Sequence, residues 1–210
     1  LADLVAIPSV NPMGGVASGP EIGVDRLTDH LESLFGRLGI PSFRQPVGSH
    51  GDNLLARVDG EVPPPKGGLI LFGAHQDTVP AAGMTIEPWP PTDRGRRLYG
   101  RGACAVKGGK TAMHSAMARL AKERPAGVNA VVMACTVNEE YGFSGANALT
   151  TLLGGDQSEI LPRKPDAAVI AEPTDLDVVT AHKGVVRWQC HTRGRAGHSA
   201  RPEDGDNAIY

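Results

Sequence analysis

The sequence predicts an α/β fold, a mainly parallel sheet sandwiched by helices, and three observations carry that reading. Apolar runs of strand length recur at 53–58 ("NLLARV"), 68–74 ("GLILFGA"), 129–137 ("NAVVMACTV") and 166–172 ("DAAVIAE"). Stretches of helical periodicity alternate with them, at 24–38, 108–122 and about 144–153. The last three apolar runs do not alternate with polar residues, as expected of strands covered on both faces. Strands that alternate with helices are the pattern of a layered fold.

Each element has a local reason. Val24, Leu27, Leu31, Leu34, Phe35 and Leu38 fall on one helical face, and Gly39 and Pro41 close that helix. "EVPPPKGG" (61–68) reads as a surface loop. After residue 181 the texture changes. "KGVVRWQCHTRG" alternates apolar and polar residues, which predicts a strand with one solvated face, and "HSARPEDGDNAIY" reads as the start of a helix. The expected organisation is a first domain over residues 1–180 and the start of a second over 181–210. The opening "LADLVAIPSVNP" has neither an initiator Met nor the pattern of a signal peptide, and reads as the interior of a longer chain.

Bulk properties narrow the class. Twenty-one Lys and Arg face 23 Asp and Glu, for a net charge of −2, and no basic tract is present to grip a phosphate backbone. Nucleic acid is therefore not an expected partner. No apolar run is long enough to span a bilayer, so neither is a membrane. Cys104, Cys135 and Cys190 are odd in number and widely spaced, which points away from a disulfide framework and toward a reducing, cytoplasmic setting.

The chemistry collects where the apolar runs end. The second runs into His75-Gln76-Asp77, the third into Asn138-Glu139-Glu140, and the fourth into Glu172. In open α/β sheets, ligands bind beyond the carboxyl ends of the strands. An imidazole and several carboxylates delivered there make a metal site, suited to Zn²⁺ and open to Mn²⁺ or Co²⁺. Alone, each piece has a blander reading: His-x-Asp as a surface pair, Glu-Glu as a solvated helix start, Glu172 before Pro173 as a turn. Residues two apart in extended chain face the same way, so Asp77 is expected beside His75, accepting the proton of its far ring nitrogen. Adjacent residues face opposite ways, which lets Glu139 and Glu140 divide between metal ligation and proton transfer.

Five motifs in order, "GAHQDTVPA", "LYGRGA…KGG", "TVNEEYGFSGA", "AEPT" and "GRAGHSARPEDGDNAI", span essentially the whole chain. In them the sequence resembles the dinuclear-zinc deacylases and exopeptidases. That group includes acetylornithine deacetylase, succinyl-diaminopimelate desuccinylase, aminoacylase and glutamate carboxypeptidase. The resemblance implies a zinc exopeptidase-like catalytic domain followed by a small α+β lid or dimerisation domain. It implies two zinc ions, a small N-acyl amino acid or peptide as substrate, amide hydrolysis as the reaction, and a homodimer for the full-length protein. His75 and Glu172 would then bind one zinc, Asp77 would orient His75, Glu140 would bind the second zinc, and Glu139 would be the general base. His198 would polarise the scissile carbonyl from the second domain.

Two departures stand out. The family pattern around "GRGACAVKGG" (100–109) is G-R-G-A-x-Asp-[Met/Val]-K-G-G, with the Asp bridging both ions; here that position is Ala105. The family's last metal-binding histidine falls beyond residue 210. Loss of the shared carboxylate predicts impaired metal binding and activity, and supports a rival reading as a catalytically dead binding protein on the same scaffold. A second rival is a P-loop nucleotide binder, because "CAVKGGKT" (104–111) ends as G-K-T before a helix; Cys104 stands where its first glycine belongs. Cys104 is expected to be a buried, inert thiol rather than a nucleophile.

Overall fold

The computed structural model describes residues 1–16, 18–64, 66–154 and 158–210. The chain divides into two compact units, Leu1–Asp175 and Leu176–Tyr210.

In the first unit, α1 (Ala2–Ala6) and α2 (Asp25–Arg37) precede β1 (Ser42–Pro46) and β2 (Asp52–Val58). Then come β3 (Leu69–His75), a hairpin of β4 (Thr92–Arg94) and β5 (Arg97–Tyr99), α3 (Gly109–Glu123), β6 (Ala130–Thr136), α4 (Ser144–Gly154) and β7 (Ala167–Ile170). The five-stranded sheet runs β1-β2-β6-β3-β7. The α/β layering matches the sequence reading, and the sheet is mixed. β3 pairs in parallel with β6 and β7, while β1-β2 and β2-β6 are antiparallel. The short turn around Gly48–His50 joins β1 to β2, and a connection that short can only return the chain antiparallel. The parallel part, β6-β3-β7, carries the site.

Strand alternation sorts the core into two layers. Leu54, Ala56, Ala74, Val131, Met133 and Cys135 face Leu27, Leu31 and Phe35 of α2 and Met113 and Met117 of α3. Leu55, Leu69, Leu71, Ala130, Val132 and Ala134 face Leu149 of α4 with Ile160 and Leu161. α2 buries Leu27, Leu31 and Phe35 at i, i+4 and i+8. Gly39, at φ +67°, ends it, and Ile40 N–H donates to Phe35 O at 2.9 Å. That is the left-handed glycine cap.

Three sequence expectations are corrected. All four residues of β7 are exposed rather than buried on both faces; it is an edge strand, paired among the described residues only with β3, and contributes to neither core layer. Residues 183–194 form no strand, because no described segment pairs with them and an extended chain without a ladder partner leaves its backbone groups to water. The helix expected after His198 is a single 3₁₀ turn, Pro202–Asp204, closed at Gly205.

His114 shows how the core constrains titration. Its Nδ1 lies 2.8 Å from Lys110 O, its Nε2 lies 3.9 Å from Cys135 Sγ, and its ring packs 5.1 Å from Phe35. Burial, reinforced by the Lys110 charge, lowers its pKa from 6.5 to about 4. Between those values the unfolded chain binds more protons than the folded one, so stability rises with pH. The contribution is intact above pH 6.5 and lost as pH falls toward 4. Urea unfolding at pH 7 and pH 5 should show a loss of about 2 kcal/mol from this group. His114→Leu should remove that part of the pH dependence, and an unchanged dependence would show that other groups carry it.

Candidate metal centre

Parallel pairing puts the carboxyl ends of β6, β3 and β7 on one edge. The register sets His75 opposite Thr136 and Gly73 opposite Ile170, so the residues after each strand leave the sheet side by side. Gln76 locks this edge: its N–H donates to Thr136 O at 2.7 Å, and its Nε2 donates to Asp52 O and Cys135 O, each at 3.0 Å.

His75 is buried, and its Nδ1 lies 2.8 Å from the main-chain oxygen of Asp77. A carbonyl only accepts, so Nδ1 carries the proton and Nε2 presents its lone pair. Nε2 faces Glu139 Oε2 at 3.9 Å and Glu172 Oε1 at 3.8 Å. His75, Glu139 and Glu140 each offer a ligand atom within 4.8 Å of the others. Two ligand atoms each about 2 Å from one cation lie no more than about 4 Å apart, so the His75 distances suit a single divalent ion. The carboxylates are crowded. Burial, added to the nearby charge of Glu139, raises the pKa of Glu140 and of Glu172. A cation would relieve that repulsion.

The Asp77 carboxylate has different hydrogen-bond partners from the one its spacing predicts. Its carboxylate lies 3.6 Å from His75 Nδ1, and the main-chain oxygen takes the hydrogen bond instead. The carboxylate accepts from Asn11 Nδ2 at 2.7 Å and from the N–H groups of Glu139 and Glu140, each at 3.1 Å. Asp77 is thus the cradle of the Glu-Glu turn. Burial alone would raise its pKa; the adjacent His75 imidazole, with the hydrogen bonds from Asn11 and the Glu140 N–H, holds it down at about 2. His75 is correspondingly raised, because the Asp77 carboxylate outweighs the cost of burying the imidazolium.

Glu139 and Glu140 lie in a turn, not in extended chain. Asn138, at φ +56°, begins it, and Gly142 and Phe143 both donate to Asn138 O. The expectation that adjacency points them apart therefore fails, since both carboxylates converge on His75. Two partners were missed by the sequence reading. Asn11 donates to Asp77 and to Asn138 Oδ1, and Asn138 donates to Ser144 Oγ. Asn before Pro12, and Asn at a position tolerant of the left-handed region, were the available signals.

The glycine-rich loop is held against the same edge. A Cβ on Gly102 would come within 2.7 Å of Thr78 Cγ2, and one on Gly109 within 2.8 Å of Ala171 Cβ. These glycines permit close approach of the loop to the chain leaving β3 and β7. Lys107 is buried, with Nζ donating to Ile7 O at 2.7 Å. Ala105 sits half-buried in the middle and offers only a methyl group. Cys104 is exposed, contrary to the buried thiol expected, because it lies on the solvent side of this loop rather than under the sheet. The P-loop reading fails as well. Lys110 is wholly buried, and β5 belongs to a separate two-stranded hairpin instead of a buried parallel strand.

In the second unit His198 is exposed in a local turn, where Ala200 N–H donates to its Nδ1 at 3.1 Å. A cavity of about 470 Å³ lies at the opposite edge of the sheet, among Ile40, Arg57, Glu61 and Arg124, away from the carboxylate cluster.

Fold and site together define a class: an α/β domain that gathers an imidazole and carboxylates, a group able to hold a metal ion, at the carboxyl edge of its sheet. Residues 71–205 match peptidase family M20/M25/M40, and the chain belongs to that family. It is 33% identical over 210 residues to an acetylornithine deacetylase of Pectobacterium carotovorum subsp. carotovorum (strain PC1), covering 98% of this chain and 50% of that protein. It is 29% identical over 212 residues to a probable succinyl-diaminopimelate desuccinylase of Staphylococcus aureus (strain Mu50), covering 100% of this chain and 48% of that protein. The chain spans about half the length of the curated relatives it matches. An M20 family metallo-carboxypeptidase from Sulfolobus solfataricus shares the fold at a TM-score of 0.62 and 18% identity, over 80% of this chain and 35% of that one. A tripeptidase from Staphylococcus aureus does so at 0.62 and 17%, over 99% and 52%.

Proposed function

We propose that this chain supplies the metal-binding and proton-transfer residues of a hydrolase that cleaves the amide bond of N-acyl amino acids or short peptides. The observation that carries the reading is the convergence of His75, Glu139 and Glu140 at one strand edge, with Glu172 facing the same imidazole nitrogen. The named activities of the relatives, a deacetylase and a desuccinylase, support amide hydrolysis.

His75 and Glu172 hold the first ion, and Glu140 is the ligand of a second where one is bound. Glu139 takes the proton from the attacking water and returns it to the leaving amine. His198, on the second unit, polarises the carbonyl. The first domain is read over 1–180 and the lid or dimerisation domain from 181, with a homodimer and a cytoplasmic setting for the whole protein. Zn²⁺ is the proposed metal, since an imidazole with carboxylates is a common zinc ligand set. When bound, such an ion acts as a Lewis acid and generates a nucleophile from water near neutral pH.

Ala105 is proposed to impair this activity, and it keeps the dead-binder reading in play. The two readings separate on turnover: the hydrolase releases free amine from N-acetyl amino acids or dipeptides in the presence of Zn²⁺, and the binder takes up metal and substrate without release. The cradle gives a further expectation. Asp77→Asn leaves the fold in place but weakens the support of His75 and of both glutamates, so Zn²⁺ affinity by competition with a chromophoric chelator should fall about 10–100-fold. Unchanged affinity would remove Asp77 from the positioning role.

A further inference from the structure

Lys110 occupies the first turn of α3, immediately after the loop that carries Ala105. Its residue is 0% exposed, and its Nζ has no hydrogen-bond partner among the described residues. A buried ammonium without a partner is costly and calls for an explanation. Its place in the fold supplies one. Gly109, the preceding residue, is pressed against Ala171, next to Glu172, and Lys110 O faces His114 beneath the sheet. Lys110 is thereby anchored beside the strand end that carries Glu172, with its ammonium buried in the core. Its field reaches Asp77, Cys135 and His75.

We propose that Lys110 is a built-in cation under the metal centre that, together with the missing donor at Ala105, restricts the site to one divalent ion. The inference rests on the metal reading above and deepens it. Asp77, Glu139, Glu140 and Glu172 bring four negative charges to the edge. One divalent ion and the ammonium leave a single negative charge over, whereas two divalent ions and the ammonium would leave a positive excess in a partly buried site. With no carboxylate at 105 to lie between two ions, nothing offsets that excess.

Co²⁺ titration followed by absorption, with total metal by mass spectrometry, tests this on the chain and its K110M and K110Q variants. Met follows the Lys side chain out to Cε and removes only the Nζ group, which makes no hydrogen bond; Gln is a second neutral replacement should Met pack poorly. The expected result is one ion per unaltered chain, with the first ion bound at least about tenfold more tightly by both neutral variants. Two ions bound by the unaltered chain would overturn the inference, as would equal affinity in all three. No binding by any of them would overturn the metal reading itself, and this inference with it, a result distinct from the other two.

Discussion

Ala105→Asp should raise metal content from one to two ions per chain and, in the longer protein, raise turnover of N-acetyl amino acids or short peptides on the order of 10²–10³-fold. The loop is already docked for it. Gly102 and Gly109 hold it against Thr78 and Ala171, and Lys107 ties it to Ile7. The backbone at Ala105, at φ −109° and ψ 96°, lies in a region that Asp adopts readily. A carboxylate there would supply the shared oxygen ligand that two ions roughly 3.5–4 Å apart require. Metal content by mass spectrometry and release of free amine are the readouts. Gain in neither would show that Ala105 is not what limits the site. Combination with K110M should tighten both ions further.

The second large effect concerns the adjacent glutamates. In the Ala105→Asp background, Glu139→Gln should lower turnover about 10²–10⁴-fold, the usual loss for a general base, with metal content nearly unchanged. Glu140→Gln should lower metal content itself. The geometry makes this a demanding test. Both carboxylates share one turn, and both reach the His75 cluster. Glu139 Oε2 stands 3.9 Å from His75 Nε2, and burial shifts the Glu140 carboxyl upward. Equal loss of metal in the two variants would make both of them ligands and end the division of roles.

Much of the fold was legible because its signals are local. The helix at 25–37 follows from the spacing of Leu27, Leu31 and Phe35, and its end from Gly39. The three inner strands follow from runs too short for helices and too apolar for a surface. The stretch 183–194 misled for the same reason: alternation is a property of the segment, but a strand exists only where another segment supplies its hydrogen bonds. Cys104 misled because burial belongs to the loop's placement, not to the thiol.

For the site, the division is similar. The sequence by itself determined which residue types end each strand, that His75, Glu139, Glu140 and Glu172 belong together, and that Ala105 stands where a bridging acid is expected. Residue chemistry and order along the chain are enough for the first two; the expectation of an acid at 105 rests on the resemblance to the family. Only the tertiary structure decided what Asp77 does. A carboxylate two residues from an imidazole could bond to it, but three donors from Asn11, Glu139 and Glu140, up to 66 residues away in sequence, claim its oxygens instead. Only the tertiary structure, too, showed Lys110 as a buried, unpartnered charge rather than a phosphate-binding lysine, because desolvation depends on what the other elements of the fold bring to the same place.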